Sequence, residues 1–212
     1  AKTKVILVTS SIQGEGKTFA AVNLAQSLCS VKKNKVLLLG LDLRNPKVHT
    51  MLSTDRKSNK GITNCLVDDK LDISTLIDKS DKVYFDFFLS GPIPPNPTEL
   101  LLSDRLSEII EFGKQHYDYV IIDSAPCLLV SDTLNISKYA DTTLYMTKSK
   151  HTKIKLIDYI NKLHADKALN NIAVVINGCE SGGQMGYSYG YSYGYNYGYN
   201  YGYSSNEEDS KT

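Results

Sequence analysis

No apolar run in the 212-residue chain approaches the length of a membrane span, and no signal peptide is expected. An excess of one charge is also missing. Lys and Arg number 24 against 23 Asp and Glu, for a formal net charge of +1. That balance gives no argument for binding nucleic acid or an anionic membrane. Cysteine is sparse: Cys29, Cys65, Cys127 and Cys179 contain no Cys-x-x-Cys. His49, His116, His151 and His164 do not join them at ligand spacing, which argues against zinc. Each cysteine has apolar neighbours, so buried free thiols in a reducing cytoplasm are expected. Hydrophobic content of 42% and charged content of 22% are ordinary for a globular protein. The length suffices for one α/β domain with a full core. Ala1 stands close to the first strand, so a fragment of a longer chain is expected.

What is present is organised around Thr9-Ser10-Ser11-Ile12-Gln13-Gly14-Glu15-Gly16-Lys17-Thr18. The apolar run Val5-Ile6-Leu7-Val8 leads in, and Ala21, Leu24, Ala25 and Leu28 lead out at the spacing of one helix face. Strand, glycine loop, Lys-Thr and helix make a phosphate-binding loop. Its glycines let backbone N–H groups converge on phosphate oxygens, at the positive end of the helix dipole. Lys17 suits the β- and γ-phosphates, and the Thr18 hydroxyl suits Mg²⁺. The usual loop opens with Gly, where this chain has Ser11.

Further strands are predicted at 35–41, 83–89, 119–122, 142–146 and 172–176, with Asp42, Asp123 and Asn177 following three of them. Short helices are predicted near 48–52, 62–67 and 73–77, and another from Ser131 toward Lys138. Asn96, Pro97 and Glu99 suit the start of a single helix running to about Gln115, and residues 153–165 make an amphipathic helix. Lys32, Lys33 and Lys35 read as the solvated end of the first helix. Continuous apolar strands alternating with helices predict an α/β fold: a parallel sheet with helices on both faces. In such sheets ligands sit at the carboxyl ends of the strands.

Asp42 and Asp123 both stand at strand ends. If their strands flank the first, both carboxylates point at the loop, and with Thr18 they meet the oxygen-ligand needs of Mg²⁺. A lone strand-end Asp is as readily a cap or turn residue. Arg44 suits stabilising a transferred phosphoryl group, or it is a surface arginine in a polar loop. Asn177 suits the adenine edge, or a plain turn. From Gly186 the chain becomes a tract of Tyr, Gly, Ser and Asn, with Tyr187, Tyr189, Tyr191, Tyr193, Tyr195, Tyr197, Tyr199, Tyr201 and Tyr203 in alternation. Such a tract cannot build a core, so a folded domain over 1–180 and a disordered Tyr-rich tail over 181–212 are expected.

Four stretches carry a family resemblance. The loop from Ser11 to Thr18 resembles the Walker A motif of the bacterial tyrosine kinases (BY-kinases) that regulate capsule and exopolysaccharide export. Leu37-Leu38-Leu39-Gly40-Leu41-Asp42-Leu43-Arg44-Asn45-Pro46 resembles that family's second Walker motif. Val120-Ile121-Ile122-Asp123-Ser124-Ala125-Pro126 resembles its Walker B, and Gly91 to Pro97 with Glu99-Leu100-Leu101 its proline loop. The resemblance implies a P-loop NTPase fold, ATP and Mg²⁺ as cofactors, and tyrosine phosphorylation of the tail. It implies Lys17, Asp42, Arg44 and Asp123 as catalytic residues, and Thr18, Asp42 and Asp123 around the metal. It implies nucleotide contacts from Gln13, Gly14, Glu15, Gly16, Lys17, Thr18, Phe19 and Asn177, and acceptors from Tyr187 to Tyr203. It also implies partners: tails of neighbouring identical subunits, a membrane-spanning activator segment and a counteracting phosphatase. The expected location is the cytoplasmic side of a bacterial plasma membrane.

Three departures stand out. Gly40 replaces the first acid of the family's Asp-x-Asp, a favoured general base. Gln13 stands where Pro is frequent. The family's Glu/Arg-rich oligomerisation helix and its membrane spans are not in this sequence, so ring assembly is not assumed. The rival reading is a ParA/MinD-like ATPase switch, whose signature lysine would stand at Ile12. A third is a nucleotide-binding module whose alternating tyrosines self-associate.

Overall fold

The computed structural model describes residues 4–52, 60–80 and 83–180. The tyrosine tract from Tyr187 to Tyr203 lies outside the described residues. Six strands form one parallel sheet: β1 (Lys4–Ser10), β2 (Val36–Gly40), β3 (Asp86–Phe88), β4 (Tyr119–Asp123), β5 (Thr142–Lys148) and β6 (Ile172–Asn177). Their order is β3-β2-β4-β1-β5-β6. Every pairing is parallel, with Val8 opposite Asp123 and Gly40 also opposite Asp123.

Alternation along the strands fills two cores. Val5, Leu7, Leu37 and Leu39 face one side, where helices α5 (Asp104–His116) and α7 (Lys155–Ala165) contribute Leu106, Ile109, Ile110, Ile160 and Leu163. Val8, Val36, Leu38 and Ile121 face the other, covered by Ala21, Ala25 and Cys29 of helix α1 (Lys17–Lys32) and Val48 of helix α2 (Val48–Met51). Burying apolar side chains on both faces is what a run such as Val36-Leu37-Leu38-Leu39 requires. Helix α3 (Ile62–Val67), a 3₁₀ turn (Ile73–Leu76) and helix α6 (Asp132–Ser137) complete the first core's cover.

Four expectations change. The helix expected from Pro97 to Gln115 is two, α4 (Pro97–Leu100) and α5. Ser103 breaks it by turning extended (φ −67°, ψ 152°), with its hydroxyl on the Leu100 carbonyl. The third strand shortens from 83–89 to Asp86–Phe88, because it is an edge strand bonded only to β2 within the sheet. Cys29, Cys65 and Cys127 are buried free thiols, but Cys179 is exposed, since it follows the poorly covered edge strand β6. The strand carrying Asp42 does not flank β1: β4 lies between them.

The loop after β3 is fixed by close backbone approach. Ile62 and Thr63 donate their N–H groups to Leu89 and Ser90. A Cβ on Gly61 would stand 2.4 Å from both Gly91 N and Leu89 O, which are backbone atoms that cannot swing aside. Gly61→Ala is therefore expected to cost about 1–3 kcal/mol, as for other overpacked sites. Urea unfolding should show the lower midpoint at an unchanged m value.

Candidate active site

The loop between β1 and α1 adopts the shape its glycines permit. Gly14 and Gly16 have φ of 83° and 97°, in the left-handed region that side chains disfavour. At Gly16 a Cβ would also meet Asn177 Nδ2 at 2.2 Å. Helix α1 begins at Lys17 with no side-chain cap, so its first N–H groups point into the loop as an anion-binding terminus.

Four site residues, Lys17, Thr18, Asp42 and Asp123, come together at the loop. The Thr18 hydroxyl donates to Asp123 Oδ2 at 2.9 Å. Asp123 is almost wholly buried, and its Oδ1 has no hydrogen-bond partner among the described residues. Burial raises the Asp123 carboxyl to about 7, against the opposing pull of the Thr18 hydrogen bond and the Lys17 charge, while Asp42 adds to the rise. Lys17 and Asp42 are therefore near enough to Asp123 to act on its charge. Asp42 accepts the Asn45 N–H on Oδ1 at 2.9 Å, forming a tight turn after β2. The parallel register explains the meeting: β2 lies beside β4, so Asp42 comes to Asp123 from the neighbouring strand rather than across β1.

A divalent cation fits these groups. A buried, unpartnered carboxylate oxygen beside a threonine hydroxyl is a set of hard oxygen donors of the kind Mg²⁺ takes. No group of three or more His, Cys, Asp or Glu side chains gathers to hold a metal among the described residues. A bound Mg²⁺ would therefore depend on substrate phosphates to complete its ligands.

Other expected residues lie differently. The Arg44 Nε donates to Asp132 Oδ2 at 2.7 Å, and its Nη2 donates to Thr98 Oγ1 at 2.8 Å. The Thr98 hydroxyl donates to Asp132 Oδ1 at 2.7 Å. Arg44 thus ties the loop after β2 to α4 and α6, and the Asp132 hydrogen bond raises its proton affinity further. Phe19 is exposed on the first turn of α1. Asn177 donates from Nδ2 to the Glu15 carbonyl at 3.2 Å, so one amide hydrogen already serves the loop. Gln13 gives its carbonyl to His151 Nε2 at 3.0 Å, and Glu15 is buried. Cys127 sits behind the loop against Thr9, and burial pushes its thiol up to about 11, which leaves it inert. Sequence reasoning missed Asp132, Thr98, His151 and Thr152. Each acts by a long-range hydrogen bond, for which periodicity has no signal.

The sheet order, glycine loop and strand-end acids define a nucleotide-binding P-loop α/β domain. The family model described as an AAA domain matches residues 3–173, and the chain belongs to that family. The resemblance read from the motifs is met among relatives. The chain is 31% identical over 178 residues to a putative tyrosine-protein kinase in the cps region of Klebsiella pneumoniae, covering 84% of this chain and 24% of that protein. It is 37% identical over 150 residues to the tyrosine-protein kinase YwqD of Bacillus subtilis, covering 71% of this chain and 62% of that protein. Its structure is similar to the kinase domain of Escherichia coli tyrosine kinase ETK, with a TM-score of 0.79 and 29% identity over 90% of this chain and 73% of that one. Solved partition and septum-site proteins at 19–24% identity share the fold alone. The chain spans about a quarter of the length of several of the curated kinases it matches.

The raised carboxyl of Asp123 has a consequence for stability. A raised native value means that the folded state holds the proton more tightly than the unfolded chain. The stability this lends is full below 3.8 and is lost as pH climbs through about 7. In nucleotide-free, metal-free protein, Asp123→Asn should raise Tm by several degrees at pH 8, with little gain near pH 4. About 1 kcal/mol is worth roughly 2–4 °C in a domain of this size. Thermal scans across pH check this, and a difference that does not vary with pH would contradict it.

Proposed function

We propose that this domain is an ATP-dependent protein-tyrosine kinase, with residues 1–180 as the catalytic unit and the tail over 181–212 as acceptor. The observation that carries the reading is the complete loop joined to two buried strand-end acids, one with an unused oxygen, in a chain similar to named tyrosine kinases. Lys17 and the loop N–H groups hold the phosphates, with Asn177 as the candidate for the adenine edge and Phe19 as a further nucleotide contact. Thr18, Asp42 and Asp123 would hold Mg²⁺ directly or through water, and the cation would neutralise phosphate charge.

In the transfer, a tyrosine oxygen attacks the γ-phosphorus. The bond to the β–γ bridging oxygen breaks, ADP leaves, and the phenolic proton departs. Positioning and charge neutralisation supply most of the rate. With glycine at 40, Asp42 takes the proton, or the proton leaves late. Arg44, the residue proposed to stabilise the phosphoryl group, is held by Asp132 and Thr98 through Nε and Nη2.

A regulatory role in capsule or exopolysaccharide export belongs to the same proposal, supported by the relative named for a cps region. So do a membrane-spanning activator segment, tethering to the inner face of the plasma membrane and a counteracting phosphatase. No helix among the described residues is long and apolar enough to cross a membrane.

The general base can be tested at two positions. A Cβ on Gly40 would sit 3.4 Å from Ser90 N and 3.6 Å from Val48 Cγ2, which are ordinary contacts, so a side chain can start there. Gly40→Asp is expected to raise the rate of tail labelling. Asp42→Asn is expected to lower both rate and Mg²⁺ affinity. An unchanged Mg²⁺ affinity in Asp42→Asn would assign that residue to the proton instead.

The tail's route follows from its length. Extended at about 3.3 Å per residue, 32 residues could span on the order of 100 Å. Reach on this scale permits delivery to a neighbouring copy, and that trans route is the one proposed here. Mixing a Lys17→Met chain bearing an intact tail with an active chain truncated after Gly186 should place ³²P on the Lys17→Met chain. Concentration-independent self-labelling, with that chain blank, would sink the trans route. ATP hydrolysis with no labelled tyrosine would move the reading to a ParA/MinD-like switch.

A further inference from the structure

A negative side chain is the least expected residue in a loop built to receive phosphate, yet Glu15 stands between Gly14 and Gly16 and is 0% exposed. Burying a carboxylate is costly unless donors satisfy it. Two donors do. Its Oε2 accepts the Ile12 N–H at 2.8 Å, which closes the loop on itself. Its Oε1 accepts the Thr152 hydroxyl. Thr152 Oγ1 in turn accepts the Lys148 N–H at 2.7 Å, and the Thr152 N–H donates to the Lys148 carbonyl at 2.9 Å.

Other ties reach the loop from the same side. His151 Nε2–H donates to the Gln13 carbonyl at 3.0 Å, and Asn177 donates to the Glu15 carbonyl at 3.2 Å. The Ser149 N–H donates to the Asn177 carbonyl at 2.9 Å, joining the ends of β5 and β6 into one support. With the Ser10 hydroxyl on the Ile12 carbonyl at 2.7 Å, five bonds fix loop residues 12, 13 and 15, three of them from outside the loop. The outside donors to these three residues come from the turn after β5 and the end of β6.

We infer that Glu15 and Thr152 are positioning residues of the nucleotide site. The turn 148–152 holds the loop in its phosphate-binding shape before a ligand arrives. A loop held this way spends little binding free energy on ordering itself. The carboxylate lies turned to its donors and away from the open face of the loop, which is how a negative group is tolerated there. The inference rests on nucleotide binding by the loop and does not depend on the identity of the acceptor.

The test is ADP titration by calorimetry on the full chain, with steady-state kinetics beside it. Thr152→Val keeps the shape of the side chain and removes the hydroxyl. The ADP Kd should rise roughly tenfold, as expected when one buried hydrogen bond is lost. KM for ATP should rise by the same factor with kcat within about twofold, because loop–phosphate bonds are shared by ground and transition states. Thr152→Ser should restore the Kd. Glu15→Ala combined with Thr152→Val should weaken binding little more than Glu15→Ala alone, since both cut one tie. If Thr152→Val does not fold, His151→Ala removes an exposed tie instead and should raise Kd about threefold.

An unchanged Kd in Thr152→Val overturns the inference, as does a fall in Tm with Kd unmoved, or failure of Thr152→Ser to restore binding. Should the chain bind ADP yet never label tyrosine, the kinase reading falls and this one stands. Should it label tyrosine while Thr152→Val binds ADP normally, the reverse holds.

Discussion

Burial of charge at the carboxyl edge of the parallel sheet is the constraint on which the rest of the structure depends. Asp123 ends a strand buried on both faces, and water reaches almost none of it. Thr18 satisfies one oxygen, Lys17 lends charge, and the second oxygen has no partner among the described residues. Such an arrangement costs stability in itself. The strand order makes it possible. With β4 between β1 and β2, the acids at the ends of β4 and β2 meet each other and the loop at the end of β1. Functional sites of this sort exchange stability for binding.

The fold was legible in the sequence because its signals are continuous. Val36-Leu37-Leu38-Leu39 admits no exposed face, and the glycine loop must follow a strand and open a helix. Residues that act along the chain, such as Lys17, Thr18, Asp42 and Asp123, came with those signals. Residues that act across the fold did not. Thr152 is 137 residues from Glu15, and Asp132 is 88 from Arg44. Nothing in local periodicity links such pairs. The order of β2 and β4 was also hidden, since apolar strands of equal character can be permuted without changing the pattern. The break at Ser103 was missed because the apolar spacing carries on through it, while one hydroxyl turned onto Leu100 redirects the backbone.

Arg44 shows how an isolated reading of one residue is changed by its partners. Its guanidinium is held by a buried carboxylate and a threonine hydroxyl. Truncating one member of such a set leaves the others unpaired, a heavier loss than a surface ion pair. The triad joins the loop after β2, the helix after the proline loop and the start of α6. Those three segments leave from, or lie beside, the strand ends that carry Asp42 and Asp123. Arg44 therefore shapes the wall of the site whether or not its charge ever meets a phosphate.

Gly40 belongs to the same logic of shared walls. Its backbone pairs with Asp123, and Leu41 donates its N–H to the Asp123 carbonyl at 2.8 Å. A carboxylate at 40 would add a third acid to a pocket in which burial already raises Asp123, with Asp42 adding to the rise. Like charges so close push one another toward protonation. A chain without that acid spares Asp123 a further rise. Phosphoryl transfer through a loose transition state makes modest demands on a base and large ones on charge neutralisation. Glycine at this position is therefore compatible with catalysis.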